Sequence, residues 1–244
     1  MRIRGRGYSF VDLQSINPRS ARMTRIAEPP RTRRQTQAAE TATRVLDAAV
    51  ELFAAGPYDT VSMAAVADAA GCAHGLPFHY FGNKRGLYLA AMRDVADQLA
   101  AAHDTAAASA PRDELRAMLA AHLEFMRQRP KLAAALLRGG IGADPEAWAV
   151  FEAVRRSFLV RVCSLLQLDA EAGALMFMLR ALAGAIDEAT LQVLERPRFV
   201  AAESLIDALL HMLTAAIESA AMLDRGLVVD GALRLLDGTT GETT

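Results

Sequence analysis

The chain has 244 residues, of which 52% are hydrophobic and 23% charged, and its formal net charge is −1. These values are typical of a soluble globular protein of one or two domains. Its two cysteines lie in separate segments without a metal-binding spacing, so neither a disulfide framework nor a zinc site is expected, and a cytoplasmic location is predicted. Alanine, leucine, arginine and glutamate dominate, which predicts an all-α fold.

Positive charge is concentrated at the start of the chain. Residues 1–44 carry ten arginines against three acidic residues, whereas acids outnumber cations in the remainder. A basic arm on an acidic body indicates a polyanionic partner, and a solvated tail without a partner is the alternative. Residues 1–38 contain prolines and scattered arginines but no hydrophobic period, so they are predicted to form a disordered basic arm.

A hydrophobic repeat of three and four residues predicts the first helix over 41–55. A short helix follows over 62–71, with a serine as its N-cap and a glycine at its end. A second short helix is predicted over 74–82, and a longer helix, capped by Asn83, over 84–103. Two short helices joined by a tight glycine turn form a helix-turn-helix arrangement.

The rest of the chain reads as longer helices. They are predicted over 111–129, 131–138, 145–166, 169–196 and 198–222, with a glycine-rich loop after the second of them. Within the helix predicted over 169–196, one stretch is apolar on every side except for an arginine. A membrane span needs about 20 consecutive apolar residues, and the arginine interrupts this stretch. The stretch is therefore predicted to be a helix buried on two sides, and no membrane partner is expected.

The densest part of the sequence is GCAHGLPFHYFGNKRGLY, residues 71–88, which holds two histidines and four aromatics beside Lys84 and Arg85. With RVLDAAVELFAAG and SMAAVADAAGCAHG before it, this run resembles the N-terminal domain of TetR-type transcriptional regulators. The resemblance covers roughly residues 39–99. It implies a homodimeric DNA-binding protein whose larger helical domain binds a small effector.

The domain organisation that follows has four parts. A disordered basic arm over 1–38 precedes a helix-turn-helix domain over 39–99, a helical effector-binding and dimerisation domain over 100–222, and a tail over 223–244.

The resemblance also assigns residues to DNA. Hydroxyls and free backbone N–H groups at helix starts can hold phosphate oxygens, and the start of the recognition helix meets base edges in the major groove. The predicted phosphate contacts are Thr43, Ser62, His79, Tyr80 and Lys84, and the predicted base-facing residues are His74, Gly75 and Leu76.

The recognition helix departs from the family pattern at three positions. Ala73 stands where the family usually has Ser or Thr, a loss of about 1 kcal/mol of capping. Pro77 removes the first intrahelical bond if Ala73 is the cap, so the helix is expected to start later or to be distorted. Phe78 replaces a usual tyrosine and with it one phosphate contact. These departures leave an alternative function open, a helical protein-interaction module whose degenerate helix-turn-helix no longer reads DNA.

The sequence gives no support to an enzymatic function. No glycine-rich phosphate loop follows a strand, and no GxSxG, HExxH or Glu-x-x-His spacing is present. We therefore expect a protein that is not an enzyme and that uses no cofactor or metal.

The predicted larger domain carries bulky, adaptable side chains. Methionines and aromatics indicate a roomy apolar cavity with His122 or Arg180 at one polar end, although ordinary core is the alternative for any one residue. The favoured effector is apolar or amphipathic, such as a lipid-like acid, an aromatic or a drug. The predicted lining residues are Met118, His122, Phe125, Met126, Trp148, Phe151, Phe158, Met176 and Arg180.

An apolar stripe on the last long helix predicts the dimer interface. Leu205, Leu209 and Leu213 lie on it, and with the neighbouring helix they offer more apolar surface than one subunit covers. Together these patterns predict a ligand-responsive repressor that binds a palindromic operator as a homodimer.

Overall fold

The computed structural model describes residues 33–104, 110–139 and 145–238. These residues form ten α-helices and no strand, which confirms the predicted all-α fold. The chain divides into two compact units, one ending at Asp94 and the other beginning at Val95. The helices are α1 Arg33–Ala55, α2 Met63–Ala69, α3 Gly75–Phe81, α4 Lys84–His103, α5 Pro111–Gln128, α6 Pro130–Gly139, α7 Pro145–Leu165, α8 Gly173–Glu195, α9 Ala202–Leu223 and α10 Asp230–Asp237.

The first helix is longer than its hydrophobic repeat. α1 begins at Arg33, within the stretch 1–38 that the sequence predicts to be an arm, and the first buried side chain is Thr41. The segment before Thr41 is polar on every side, so it has no hydrophobic period, but it also has no proline or glycine to break a helix. The rest of the predicted arm, residues 1–32, lies outside the described residues.

The first unit has a small core that fixes α2 and α3. Phe53, Val66, Phe81 and Leu87 are buried in it. The ring of Tyr88 meets that of Phe53 edge-on at a centroid distance of 5.0 Å. Such an aromatic contact adds to the stabilisation from buried area, and this one connects α1 and α4.

The predicted cap and turn of α2 are confirmed. The Ser62 hydroxyl accepts a hydrogen bond from the backbone N–H of Ala65 at 3.0 Å, which satisfies one of the free donors of the first turn. Gly71 follows the helix with φ +61°, a conformation that favours glycine. The chain can therefore turn sharply into α3.

The second unit surrounds one hydrophobic core. α8 and α9 pack along each other, and α5, α7 and α10 pack around them. The largest fully buried side chains of this core include Met118, Leu166, Leu175, Leu179 and Ile217. α8 starts at Gly173, four residues later than predicted, because the Asp169 carboxylate accepts from the backbone N–H of Glu171 in a turn before the helix.

The predicted C-terminal tail contains a helix that closes this core. α10 buries Ala232 and Leu236, preceded by the buried Val229, at helical spacing. Arg112 of α5 donates to the backbone carbonyl of Leu236. Gly238 ends the helix with φ +74°.

α9 is, by length and composition alone, apolar enough to cross a membrane. In the structure its seven buried residues, from Ile206 to Ala220, lie in the core of the second unit. A buried core helix passes the same test of length and composition, so this feature is weak support for a membrane span.

Candidate nucleic-acid interface and ligand cavity

At the start of α3, Pro77 does not remove an intrahelical hydrogen bond. His74, and not Ala73, is the cap residue, so Pro77 occupies the third helical position, where a backbone N–H has no intrahelical partner. The backbone N–H of Leu76 bonds the Ala73 carbonyl at 2.9 Å, which forms a tight first turn. The expectation of a later start is thus confirmed, and no side chain caps the helix.

The exposed residues of α3 are those expected to face DNA, together with one that the sequence reasoning did not assign. Gly75 and His79 are exposed and Leu76 is half-buried. Phe78, which lacks the hydroxyl that a tyrosine would offer to a phosphate, is 52% exposed, whereas Phe81 is buried. A phenyl ring on this face can contact a thymine methyl group.

The imidazole of His74 is held by an acid of the preceding helix. Its Nε2 lies 2.8 Å from Oδ1 of Asp68 in α2, and both side chains are largely exposed. Asp68 was not among the predicted site residues, although its position one turn before the glycine turn could have indicated it. This contact orients the histidine at the start of the recognition helix.

The junction between α3 and α4 is closely packed. Gly82 has φ +76°, and the Asn83 carboxamide oxygen accepts from the backbone N–H of Gly86 at 2.8 Å, which confirms the predicted cap of α4. A Cβ atom at Gly86 would lie 2.3 Å from the carbonyl oxygen of Phe81. Only glycine therefore fits at this position.

Lys84 at the start of α4 is anchored within the first unit. Its ammonium donates to the carbonyl of Asp59 at 3.1 Å and lies 4.4 Å from the centroid of the Tyr58 ring. Tyr80 is half-buried, with its ring edge-on to that of His79 at 5.2 Å.

Thr43 does not lie at a helix start. α1 begins ten residues before it, and the Thr43 hydroxyl donates to the carbonyl of Ala39 at 3.1 Å. The prediction that Thr43 lies at a helix start is wrong, because the helix was assumed to begin where its hydrophobic repeat begins. Ser62, in contrast, lies at the start of α2 as expected.

A cavity of about 100 Å³ lies in the second unit, between α4, α5, α6, α7 and α8. Five of the nine residues predicted for an effector pocket line it. They are His122, Met126, Trp148, Phe151 and Phe158, and the other lining residues are Leu99, His103, Leu119, Leu137, Val154, Arg155, Ala183, Ile186 and Asp187.

The other four predicted pocket residues do not line this cavity. Met118 and Phe125 are buried, Met118 in the main core. Met176 packs against that core, and Arg180 has a side chain that is 51% exposed and donates to Glu152 at 2.6 Å. Helical spacing places such side chains on a face but does not tell which of them meet a void.

Two histidines form a polar part of the cavity, His122, which was predicted to lie there, and His103, which was not. Nε2 of His103 in α4 lies 3.1 Å from Nδ1 of His122 in α5, and the ring of Phe158 meets that of His103 edge-on at 4.7 Å. Burial lowers the pKa of His103 to about 3, with further contributions from His122 and Arg161. Burial, together with Arg155, lowers the pKa of His122 to about 4. Both imidazoles are therefore neutral at physiological pH.

The charged groups at the cavity are paired. Arg155 donates to Asp187 at 2.5 Å and also to Glu152, and its guanidinium lies 5.6 Å from the centroid of the Trp148 ring. Burial raises the pKa of Asp187, and the neighbouring Arg155 opposes that shift. Arg155 and Asp187 were not among the predicted site residues, since periodicity cannot align the two helices, α7 and α8, that bring them together.

The histidine pair predicts a pH-dependent stability. The unfolded chain binds protons at these histidines below pH 6.5, whereas the folded chain does so only below about pH 4 and 3. The contribution of these two histidines to the free energy of unfolding is therefore fully present above pH 6.5 and is lost as the pH falls. The free energy of unfolding should decrease by on the order of 2 kcal/mol between pH 7.5 and 5.5. Urea unfolding followed by Trp148 fluorescence measures this change. His122→Asn should flatten the dependence, and an equal dependence in that variant would contradict the assignment.

The predicted interface residues of α9 lie mostly inside the chain. Leu209 and Leu213 are buried in the core of the second unit, and Leu205 is half-buried against it. The outer surfaces of the same helix pair carry Phe177 of α8, 66% exposed, and Met212 of α9, 41% exposed.

Comparison with known proteins identifies both units. Residues 45–91 match the model of the bacterial regulatory proteins of the tetR family, and residues 111–216 match a tetracyclin repressor-like C-terminal domain. The chain is 38% identical over 84 residues to the HTH-type transcriptional regulator BetI of Burkholderia thailandensis, a match that covers 33% of this chain and 43% of that relative.

Solved structures share the fold over most of the chain. A tetR-family transcriptional regulator from Streptomyces coelicolor aligns with a TM-score of 0.71 at 24% identity, over 84% of this chain and 91% of that one. The regulator FadR from Bacillus subtilis, solved in complex with stearoyl-CoA, aligns with a TM-score of 0.56 at 18% identity, over 70% of this chain and 96% of that one. With its helix-turn-helix unit and its larger helical unit both matched, the chain belongs to the TetR family of transcriptional regulators.

Proposed function

We propose that this DNA-binding regulator is a ligand-responsive repressor that acts in the cytoplasm and binds a palindromic operator as a homodimer. The observation that carries the proposal is the exposed face of α3, where His74, Gly75, Phe78 and His79 stand beside the start of α4. The small core beneath this face, with Phe81 buried, holds the helix at a fixed angle.

The contact between Asp68 and His74 gives that face a chemical preference. A carboxylate only accepts hydrogen bonds, so Nε2 of His74 is the donor at 2.8 Å. When the ring carries a single proton, that proton is on Nε2, and Nδ1 has a free lone pair. In the major groove such an acceptor matches the exocyclic amino groups of adenine and cytosine. Phe78 would supply an apolar contact to a thymine methyl.

The homodimer in this proposal uses the outer surfaces of α8 and α9. Phe177 and Met212 are large apolar side chains left exposed there, beside the small exposed residues Ala181, Gly184 and Ala208. Small residues let two helices approach closely. Large apolar residues stabilise the contact by about 25 cal/mol for each Å² of apolar area that they bury. Two copies of this helix pair would form a four-helix interface.

The ligand response in this proposal uses the cavity of the second unit. Its wall includes His103, the last residue of α4, and the first residue of the same helix is Lys84, a candidate phosphate contact. A ligand can release DNA only if it prefers a conformation in which DNA binds less well, and this coupling is reciprocal. Stearoyl-CoA, present in the structure of the B. subtilis regulator, carries an acyl chain far longer than a void of about 100 Å³ accommodates.

Selection from randomised duplexes tests the DNA reading. The full chain should enrich an inverted repeat whose half-sites are centred about 34–36 Å apart or a multiple of that distance. His74→Ala should remove a preference for adenine or cytosine at one position of each half-site, worth about 1 kcal/mol or several-fold in affinity. Affinities for the enriched site and for its single-base variants give the measurement.

Lys84→Ala is the matched control, because a phosphate contact carries no sequence information. It should weaken binding to all sequences alike and lower the slope of log affinity against log salt by about 1. If no sequence is enriched, the chain is instead an interaction module with a degenerate helix-turn-helix.

A further inference from the structure

Within the part of the chain that the structure describes, one buried polar atom at the cavity has no hydrogen-bond partner. Nε2 of His122 is fully buried and forms no hydrogen bond among the described residues, while Nδ1 of the same ring pairs with His103. A buried polar atom without a partner costs about 1–3 kcal/mol. His122 lines the cavity, so a ligand bound there can satisfy this atom.

The role of that atom depends on the histidine pair. If His103 donates to Nδ1 of His122, then Nε2 of His122 carries the proton and must donate; in the opposite tautomer it must accept. A hydroxyl group serves in both cases, because it is at once a donor and an acceptor. A carbonyl or an ether oxygen serves only in the first.

The charges at the cavity disfavour an ionic ligand. Arg155 and Asp187 are the charged lining residues, and they are 2.5 Å apart. A carboxylate or phosphate in the cavity would need a cation, and Arg155 is already engaged by Asp187 and Glu152. The ligand would then carry an uncompensated buried charge, which is strongly unfavourable.

The volume limits the size of the ligand. A cavity of about 150 Å³ lined by apolar side chains accommodates benzene. The cavity here is about 100 Å³, and its wall contains adaptable side chains such as those of Met126 and Leu137. One small ring or a short branched chain matches this space.

We infer that the cavity binds a small uncharged molecule with one hydroxyl group on an apolar body, and that this hydroxyl pairs with Nε2 of His122. The inference names the ligand class of the proposed ligand response and rests on that response for its regulatory meaning. The binding site itself is tested without DNA.

Three probes of similar size separate the contributions. Phenol has the hydroxyl, toluene replaces it with a methyl group, and benzoate carries a charge. Each probe is titrated into the full chain at pH 7.5, and binding is followed by the fluorescence of Trp148, the only tryptophan of the sequence and a lining residue. We expect phenol to bind more tightly than benzoate, by about tenfold or more, since the only cation among the described lining residues, Arg155, is already paired with Asp187 and Glu152. Equal or tighter binding of benzoate overturns the inference, as does the failure of phenol to bind.

His122→Asn isolates the hydroxyl contact. Asparagine keeps a polar group near Nδ1 for His103 but has no atom at the position of Nε2. The affinity for phenol should fall about tenfold, while that for toluene stays within about twofold or rises. An equal loss for both probes overturns the inference. Met126→Leu is the control, because it changes the wall without a polar group and should leave the ratio of the two affinities unchanged.

These outcomes are separable from those of the proposed function. If phenol binds in a manner that depends on His122 but does not change the affinity for the selected duplex, the ligand site stands and the ligand response fails. If DNA is selected but no probe binds, the regulator stands and the ligand inference fails. The comparison of phenol with benzoate uses the unaltered protein, so it decides the inference even if His122→Asn does not fold.

Discussion

Replacing Gly86 with alanine should unfold the first unit and abolish DNA binding. The new Cβ atom would lie 2.3 Å from the carbonyl oxygen of Phe81. That carbonyl cannot move freely, because it accepts from the backbone N–H of Asn83 at 2.9 Å in the turn after α3. Overpacking against backbone costs about 3 kcal/mol, a large share of the stability of a small unit.

Gly75→Ala provides the matched control within the same unit. Gly75 is helical, its added Cβ atom would have open space, and its φ is not positive. Alanine there should stabilise α3 by about 0.5–1 kcal/mol. Amide hydrogen exchange of residues 63–94 measures both variants. Native protection in Gly86→Ala would contradict the packing of the junction.

Phe177→Glu should convert the proposed homodimer into monomers that no longer bind the selected palindrome. Phe177 is 66% exposed on α8 in the single chain. A glutamate placed at the centre of a helical interface would remove apolar burial and introduce a charge. We expect the dimer dissociation constant to rise by about 30-fold or more, equivalent to about 2 kcal/mol. Sedimentation equilibrium gives the measurement, with circular dichroism to verify that the helices persist.

Two further variants give this experiment its contrast. Phe199→Glu changes a phenylalanine that is even more exposed, at 74%, and that lies between α8 and α9 and not on either helix, so the dimer should persist. Leu209→Glu buries a charge in the core of the second unit and should unfold it, not yield folded monomers. A stable dimer from Phe177→Glu would place the interface on another surface.

The fold could be predicted where local signals agree. The serine cap of α2, the asparagine cap of α4 and the proline at the start of α5 each act within one helical turn, and the structure has all three helices near their predicted bounds. The starts of α1, α8 and α9 differ from those predicted, because a polar helix shows no hydrophobic period and a turn can precede a helix, as at Asp169 and Arg196. α10 was missed, although Val229, Ala232 and Leu236 recur at the helical spacing of three and four residues.

The cavity could be predicted only in part, for a related reason. Composition and spacing indicated that His122, Trp148 and Phe158 lie in the second unit's interior, but not which face of each helix meets a void. The contact of His103 with His122 joins residues of two helices through their side chains, and no sequence period encodes such a distance. The orientation of His74 by Asp68 was missed because both residues are exposed and polar, like most of a surface.

The helix α10 also has a consequence for the order in which the chain acquires its structure during synthesis. The first unit is complete in sequence at Asp94, whereas the core of the second lacks Leu236 until the ribosome has added about 140 further residues. At about 5–20 residues per second this takes roughly 7–30 s. The residues of the DNA-binding unit are therefore all synthesised well before the unit that carries the cavity can close its core.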